Sequence, residues 1–312
     1  MVVDTILFGD CRETLKEFDG KARTCVTSPP YYGLRNYGNE EDQIGQEQTP
    51  EEYIQNLVEV FRSVRDVLTD DGTLWVNIGD SYYNYRPGKG QALPKQTVSK
   101  TKQDLPDECA KRGNKLEGLK EKDLIGIPWM LAFALRADGW YLRQDIIWHK
   151  PNPMPESVKD RCTKSHEYIF LLSKNRKYYY NNEAIKEPVK QDWGTRDRTK
   201  GKYHNPGTGL VPHSGLSKSY DRKNKRDVWT VTNKPYKGAH FAVYPPDLIE
   251  PCIKAGSEEG DIVLDPFMGS GTTALVSKSL NRHYIGCELH EDYGRLIQKR
   301  LSEKSFARLK LE

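Results

Sequence analysis

Short apolar segments alternate with amphipathic ones along most of this 312-residue chain, and the alternation limits the folds open to it. The clearest helix is TPEEYIQNLVEVFRSVRDVL, in which Thr49 is the predicted N-cap, Pro50 the first helical residue and Glu52 the partner in a capping box. Asp-Asp-Gly is expected to end it, and TLWVNIGD to follow as a buried strand. Strands that alternate with helices favour an α/β fold with a doubly wound, mostly parallel sheet.

Two long stretches interrupt this alternation. Residues 86–122 are rich in Lys, Gly, Gln and Pro, and residues 190–237 combine Lys and Arg with Gly, Ser, His and aromatic residues. Neither stretch has hydrophobic periodicity, so neither is expected in the core. No apolar run is long enough for a transmembrane helix, and the first residues lack the basic and apolar segments of a secretory signal.

Composition narrows the class of protein further. The chain has 36% hydrophobic and 29% charged residues, which is ordinary for a globular protein. Its six cysteines are scattered without a CxxC pair, which favours reduced thiols over a disulfide framework or a zinc site. We therefore expect a cytoplasmic protein without a metal centre and without membrane contact.

The segment VLDPFMGSGTTA joins an apolar strand to a helix through a glycine turn. Gly269, Ser270 and Gly271 allow the backbone to approach a ligand, and the start of the helix offers free N–H groups. The pattern is neither a P-loop nor a dinucleotide fingerprint. Asp265 disfavours a phosphate at the turn, and Glu288 ends the next strand where a carboxylate would meet a ribose. S-adenosylmethionine (SAM) has this character, although an ordinary strand–helix connection with a surface glutamate also fits.

The segment TSPPYYG, from Thr27 to Gly33, follows the strand-like stretch ARTCV. Pro29 and Pro30 fix φ at about −65° and remove two N–H donors, which leaves a stiff segment that presents carbonyl groups. Such a segment is either a rigid surface turn or a platform that holds a flat substrate against an aromatic ring.

Together, DPFMGSGTT and TSPPYYG resemble the SAM-binding and catalytic motifs of the DNA methyltransferases that modify exocyclic amines. Their order, with the catalytic motif first, is similar to that of the permuted β group of this family, and the resemblance extends over most of the chain. It implies a Rossmann-like SAM-dependent methyltransferase fold, a seven-stranded and mostly parallel sheet with one antiparallel strand and helices on both faces. It also implies a catalytic half over residues 1–185 with the basic insertion 86–122, a target-recognition region over 186–237 and a SAM-binding half over 238–312.

Individual positions acquire roles from this resemblance. Asp10 in FGDCRETL matches the residue that contacts the adenine of SAM, and Glu288 in YIGCEL matches the ribose ligand. The other cofactor-binding residues that the resemblance implies are Asp265, Phe267, Gly269, Ser270, Gly271, Thr272, His240, Phe241 and Pro245.

The resemblance assigns catalysis to Ser28, Pro29, Pro30 and Tyr31. The Ser28 side chain and the Pro29 carbonyl would accept the two amine protons, and Tyr31 would stack on a base extruded from the duplex. Family members with Ser at the first motif position mostly methylate cytosine N4, and those with Asp mostly methylate adenine N6. The sequence therefore predicts N4-methylcytosine, with adenine N6 methylation open as the alternative.

Basic residues outnumber acidic ones between residues 190 and 237, where this family keeps its recognition region. A charge run is often only a solvated face, but this placement predicts contacts with the phosphates and base edges of double-stranded DNA. The predicted DNA-binding residues are Arg196, Arg198, Arg222, Lys223, Lys225 and Arg226. The resemblance also brings a bacterial, archaeal or phage origin, and it leaves open a homodimer and a cognate restriction endonuclease that makes no direct contact.

Several alternatives stay open. An RNA or protein amine methyltransferase would usually carry its SAM motif first, and a DNA-binding protein without catalysis would not need the intact motifs. His149 belongs either to the target-base pocket or to the hydrogen-bonded framework. Cys252 follows a proline, as the nucleophile of cytosine C5 methyltransferases does. It shares a helical face with Leu248, Ile249 and Ile253, so we interpret it as a buried core residue.

Overall fold

The computed structural model of the protein describes residues 2–33, 43–83, 116, 118–189, 221–233 and 244–302. The α-helices in this part are α1 (Cys11–Thr14), α2 (Pro50–Val67), α3 (Ile127–Ala137), α4 (Pro246–Gly256), α5 (Thr272–Ser279) and α6 (Glu291–Ser302). The strands are β1 (Thr5–Phe8), β2 (Ala22–Thr27), β3 (Leu68–Ile78), β4 (Tyr141–His149), β5 (His166–Ser173), β6 (Glu187–Pro188), β7 (Arg222–Lys223), β8 (Val228–Thr230), β9 (Ile262–Asp265) and β10 (His283–Glu288).

Eight of these strands form one sheet in the order β1-β10-β9-β2-β3-β5-β4-β8. The first five are parallel, and β5 is antiparallel to both of its neighbours. This arrangement confirms a mostly parallel sheet with one antiparallel strand. The predicted count of seven strands is wrong, because β8 pairs in parallel with β4 at the edge of the sheet. Part of the range predicted as the target-recognition region therefore extends the main sheet.

Helices cover both faces of this sheet, as predicted. Successive residues of a strand point to opposite faces, and in β2 Cys25 belongs to one core cluster while Val26 belongs to the other. The first cluster includes Leu57 and Phe61 of α2, and the second includes Leu248 of α4. No helix in the described part of the chain combines the length and apolarity needed to cross a membrane.

The connection between α2 and β3 differs from the prediction. The capping box of α2 is present, since Glu52 N donates to Thr49 Oγ1 and Thr49 N donates to a Glu52 carboxylate oxygen, both at 3.2 Å. The strand, however, begins at Leu68, and Asp-Asp-Gly lies inside it. The register with β2 shifts there, and Arg23 of β2 binds Asp71 at 2.5 Å. A local irregularity in the pairing of two strands accommodates an extra residue, and here it lies beside the ion pair of Arg23 with Asp71.

Candidate active site

A cavity of about 620 Å³ opens where the parallel strands of the sheet end. Ligand sites of α/β proteins commonly lie outside the carboxyl ends of the strands. The predicted site residues that line it are Asp10, Ser28, Pro29, Pro30, Tyr31, Phe267, Gly269, Ser270, Thr272 and Glu288. The structure therefore brings the two motifs together in one cavity, although they lie near opposite ends of the chain.

The glycine turn between β9 and α5 has the geometry that its sequence predicts. Gly269 and Gly271 have positive φ values of 53° and 79°, a region that favours glycine. A Cβ atom on Gly271 would also lie 2.9 Å from Ile297 of α6. Glu288 at the end of β10 accepts a hydrogen bond of 2.8 Å from Gly269 N and one of 3.2 Å from His290 N. Burial raises the pKa of Glu288, and these two hydrogen bonds partly offset that shift.

Arg300 of α6 fixes the same turn, which the sequence analysis did not anticipate. Its guanidinium donates to the Ser270 carbonyl at 3.0 Å, to Ser270 Oγ at 2.8 Å and to Thr272 Oγ1 at 2.9 Å. The hydroxyl groups of two predicted cofactor residues are thus held by a helix that comes later in the chain. A basic residue on the polar face of an amphipathic helix gives no signal of such a contact.

Asp265 lies beneath the cavity and does not line it. Its carboxylate is fully buried and accepts four hydrogen bonds, from Thr27 Oγ1 at 2.6 Å, Thr273 Oγ1 at 2.5 Å, Tyr244 OH at 3.0 Å and Phe267 N at 3.0 Å. Burial raises the pKa of Asp265, and the hydrogen bonds act in the opposite direction. Asp265 therefore connects the end of β2, immediately before Ser28, to the start of α5.

Asp10 follows β1 and combines two roles in the structure. Its carboxylate accepts a hydrogen bond of 2.8 Å from Arg12 N, which caps α1, and it forms an ion pair with the Arg12 guanidinium. Burial raises the pKa of Asp10, but the hydrogen bonds from Arg12 outweigh it, and the net shift is downward. An ionised carboxylate consequently lies at the rim of the cavity.

The catalytic motif follows β2 and is fixed by α2. Tyr53 of α2 donates a hydrogen bond of 2.7 Å to the Pro30 carbonyl. The Pro29 carbonyl accepts no hydrogen bond from the residues that the structure describes, and Pro29 lines the cavity. The segment thus holds the Pro30 carbonyl in the protein framework, and the role of the Pro29 carbonyl as an acceptor stays a prediction.

Tyr31 lies against Gly79, the residue directly after β3. A Cβ atom on Gly79 would lie 2.7 Å from Tyr31 Cε2, so only glycine at this position leaves room for the ring. The Tyr31 hydroxyl donates to Glu167 Oε2 at 2.7 Å and lies 3.4 Å from Asn77 Oδ1. Burial raises the pKa of Tyr31 well above its usual value, with the charge of Glu167 acting in the same direction and a hydrogen bond with Ser28 opposing it. The phenol is therefore neutral.

Glu167 and Lys150 also line the cavity, and the sequence analysis missed both. The two side chains form an ion pair, and only 15% and 16% of them is exposed. The Lys150 ammonium lies 4.2 Å from the centre of the Trp148 ring, and Asn77 donates to Glu167 at 3.2 Å. Glu167 lies at the start of β5, and its contact with Tyr31 joins residues 136 positions apart.

Other predicted residues either do not line the cavity or fall outside the part of the chain that the structure describes. Gly271 and Pro245 do not line it, and His240, Phe241, Arg196 and Arg198 lie outside the described residues. His149 does not line the cavity either and lies 3.1 Å from the Thr230 hydroxyl, which favours the framework interpretation. Cys252 is buried in the core as expected, and burial raises the pKa of its thiol.

The remaining predicted DNA-binding residues are near β7 and have partners within the protein. Lys223 and Arg226 both contact Glu187, at 3.4 Å and 2.7 Å, and Arg222 donates to the Lys186 carbonyl at 2.7 Å. The Lys225 ammonium lies 4.9 Å from the centre of the Trp229 ring. The structure thus clusters these four cations, and Glu187 partly neutralises two of them.

Comparison with known proteins agrees with this architecture. Among solved structures, PvuII DNA methyltransferase (cytosine-N4-specific) has a TM-score of 0.60 and 18% identity, over 99% of this chain and 91% of that one. The putative DNA modification methylase TTHA0409 of Thermus thermophilus, in complex with SAM, has a TM-score of 0.58 and 23% identity, over 98% of this chain and 94% of that one. At these identities the likeness concerns the fold, and it shows that this chain has the fold of these methyltransferases.

Sequence relatives identify the family. The family model described as DNA methylase (N6_N4_Mtase) matches residues 22–299. The type II methyltransferase M.SmaI of Serratia marcescens is 47% identical over 95% of this chain and 90% of its own length, and M.Cfr9I of Citrobacter freundii is 46% identical over 95% and 87%. The chain belongs to this DNA methylase family. It is therefore a SAM-dependent DNA methyltransferase, which removes the RNA, protein and non-catalytic alternatives.

Proposed function

We propose that this protein methylates the exocyclic N4 of a cytosine in a short specific site of duplex DNA, and that the cytosine turns out of the helix to enter the cavity. The observation that carries the proposal is the position of Ser28, which lines the same cavity as Phe267 and Glu288. A hydroxyl stands at the first motif position, where the family pattern associates serine with cytosine N4 and aspartate with adenine N6.

The catalytic motif would reshape the amine. An exocyclic amine is a weak nucleophile because its lone pair is delocalised into the ring. Ser28 Oγ and the Pro29 carbonyl would accept its two protons and turn the lone pair toward the methyl group. The nitrogen–carbon bond forms as the sulfur–carbon bond breaks, and the methylated amine releases a proton to water. Good alignment of reacting groups is worth about 7–11 kcal/mol, which is what a stiff proline segment offers.

Tyr31 would hold the extruded base. Stacking on an aromatic side chain contributes roughly 1–3 kcal/mol per base, comparable to the few kcal/mol that extrusion costs. The ring can serve as a fixed surface because Gly79 lies directly against it and its hydroxyl is bound to Glu167. The acceptors of Ser28 and Pro29 lie only two or three residues away along the chain.

SAM supplies the methyl group when bound, and the residues on the other side of the cavity fit it. Glu288 is ionisable, buried and at the end of β10, where its carboxylate would accept the ribose hydroxyls. Asp10 would contact the adenine, and Phe267, Gly269, Ser270 and Thr272 would surround the remainder. Asp265 would act indirectly, by holding the turn, and His240, Phe241 and Pro245 are proposed beside the methionine moiety. Gly271 would serve through its backbone conformation.

DNA recognition is proposed for residues 186–237, between the catalytic half 1–185 and the SAM-binding half 238–312. Arg222, Lys223, Lys225 and Arg226 would contact phosphates, together with Arg196 and Arg198. A cognate restriction endonuclease without direct contact belongs to the same proposal, since the relatives M.SmaI and M.Cfr9I are type II methyltransferases. A homodimer stays a prediction.

Adenine N6 methylation on the same scaffold is the second candidate, because the matching family covers both N6 and N4 methylation. The PvuII enzyme is cytosine-N4-specific, but at 18% identity that likeness concerns the fold. The choice of cytosine therefore depends on Ser28.

Product analysis distinguishes the two candidates. Duplex DNA is incubated with the protein and SAM labelled in its methyl group, then digested to nucleosides that are identified by mass. We expect the label in N4-methylcytosine. Label in N6-methyladenine would make the Ser28 argument wrong while leaving the enzyme class intact.

A further inference from the structure

An exposed methionine lies at the cavity, in the loop that joins β4 to β5. Met154 is 82% exposed, more than any other large hydrophobic residue in the described part of the chain. It nevertheless lines the same cavity as Tyr31 and Ser28. Single exposed apolar side chains are common on protein surfaces, so exposure alone carries no argument. The argument depends instead on the position of Met154 at the cavity and on the rigidity of the segment that holds it.

The segment around Met154 is stiff and fixed on both sides. Pro151, Pro153 and Pro155 alternate with the residues between them, and each ring fixes its own φ. On one side, Asn152 exchanges two hydrogen bonds with Asn233, of 3.1 Å and 3.0 Å.

On the other side of Met154, Glu156 forms an ion pair of 2.5 Å with Arg161. The Arg161 guanidinium in turn lies 4.0 Å from the centre of the Tyr82 ring. The loop therefore holds an apolar side chain in water at a defined position beside the cavity, and the protein gains no core packing from it.

We propose that Met154 is a wedge that enters the duplex beside the target base and separates it from its neighbour. The inference rests on the proposed function, in which a base leaves the helix and enters the cavity. Apolar side chains, methionine among them, unstack base steps in this way. Insertion buries the exposed side chain against base faces, which offsets part of the cost of extrusion, while Tyr31 receives the extruded base.

A substrate in which the target base is already unpaired, so that its extrusion costs less, gives the test. Methyl transfer is measured on a fully paired duplex that contains the recognition site. It is also measured on an opened duplex, which is the same DNA with an abasic site opposite the target base. Because extrusion of a paired base costs a few kcal/mol, Met154→Ala is expected to lower the rate on the paired duplex by about tenfold or more. Its rate on the opened duplex should stay within about twofold of wild type.

Two variants control for the loop and for side-chain volume. Val158→Ala changes another exposed apolar residue of the same loop, 42% exposed and outside the cavity lining, and should leave both rates unchanged. Met154→Leu should retain most of the activity on the paired duplex. Equal losses on the two duplexes for Met154→Ala, or no loss on either, would overturn the wedge. Absence of methylation by the wild-type protein on both would overturn the proposed function instead.

Discussion

The Tyr31 hydroxyl donates a hydrogen bond of 2.7 Å to Glu167, across 136 residues of sequence. This contact connects the catalytic motif after β2 to the antiparallel strand β5, and Lys150 neutralises the same carboxylate. The hydrogen bond fixes the position of the Tyr31 ring through its hydroxyl, and Gly79, which has no side chain, leaves room for the ring. The stacking surface is therefore built from three strands and not from the motif alone.

Two substitutions of Tyr31 separate its ring from its hydroxyl. Tyr31→Ala removes the stacking surface, worth roughly 1–3 kcal/mol, and we expect kcat/KM to fall about 10- to 100-fold. Tyr31→Phe keeps the ring and loses only the hydroxyl with its contacts to Glu167, Asn77 and Ser28, so its loss should be clearly smaller. Steady-state methylation of a duplex site measures both. Equal losses would mean that the hydroxyl, and not the ring, carries the function of Tyr31.

Glu288 is expected to govern SAM affinity. Glu288→Gln removes a charged acceptor, and hydrogen bonds to charged groups contribute about 1.5–3 kcal/mol, so the Kd for SAM should rise about 10- to 100-fold. Burial raises the pKa of this carboxylate. Wild-type affinity should therefore weaken as the pH falls through that raised pKa, and the variant should lack this dependence.

Isothermal titration with SAM at several pH values checks this prediction. Glu259→Gln is the matched control, because Glu259 is exposed and precedes β9, whereas Glu288 lies at the carboxyl end of β10. If Glu288→Gln binds SAM as tightly as the wild-type protein does, the ribose assignment is wrong.

Asp265 should make the stability of the protein depend on pH. Its pKa is raised in the folded state by burial, so its contribution to stability is present below the pKa of the unfolded chain and is lost as pH rises through the folded pKa. Asp265→Asn removes this titration. The unfolding free energy of wild type minus that of the variant, as measured by urea denaturation, should therefore decrease as the pH rises from the pKa of the unfolded chain through the raised folded pKa. An increase over this range would contradict the sign of the shift.

The cations near β7 should contribute to DNA affinity through phosphates. Combined replacement of Arg222, Lys223, Lys225 and Arg226 by Gln should weaken binding and reduce the slope of log K against log salt by about 2 to 4. The lower value applies if Glu187 already neutralises part of this charge. Fluorescence anisotropy at several salt concentrations measures the slope.

The control for this replacement uses two exposed cations on other elements. Lys21 precedes β2 and Lys278 lies near the end of α5, so Lys21→Gln with Lys278→Gln should leave the slope unchanged. A slope unaffected by the four-residue replacement would remove β7 from the DNA interface.

The sequence predicted the parts of the site that lie on a single motif. Ser28 and Tyr31 were selected because their motif resembles a family pattern, and Glu288 because it also ends a predicted strand; all three line the cavity. The capping box of α2 was found because its signal spans only three residues. Local patterns of this kind can be predicted because all the residues that form them are neighbours in the sequence.

The parts that sequence reasoning missed depend on pairing over long distances. Glu167 was missed because no strand was predicted over residues 166–173, although the resemblance implied one antiparallel strand in the sheet. Arg300 lies on an ordinary amphipathic helix, and its contact with Ser270 appears only after the chain folds. Asp265 was found, but its burial under four hydrogen bonds could not be read from its position beside a glycine turn.

The most direct measurement of the central claim is the single-turnover rate of methyl transfer to duplex DNA by Ser28→Ala. The substitution removes one acceptor for the amine and leaves the Pro29 carbonyl, Tyr31 and the cofactor residues in place. An unmade hydrogen bond of this kind costs about 1–3 kcal/mol, so we predict a rate lower by about 10- to 100-fold, with the Kd for SAM unchanged. A wild-type rate in this variant would contradict the assignment of Ser28 to the reacting amine.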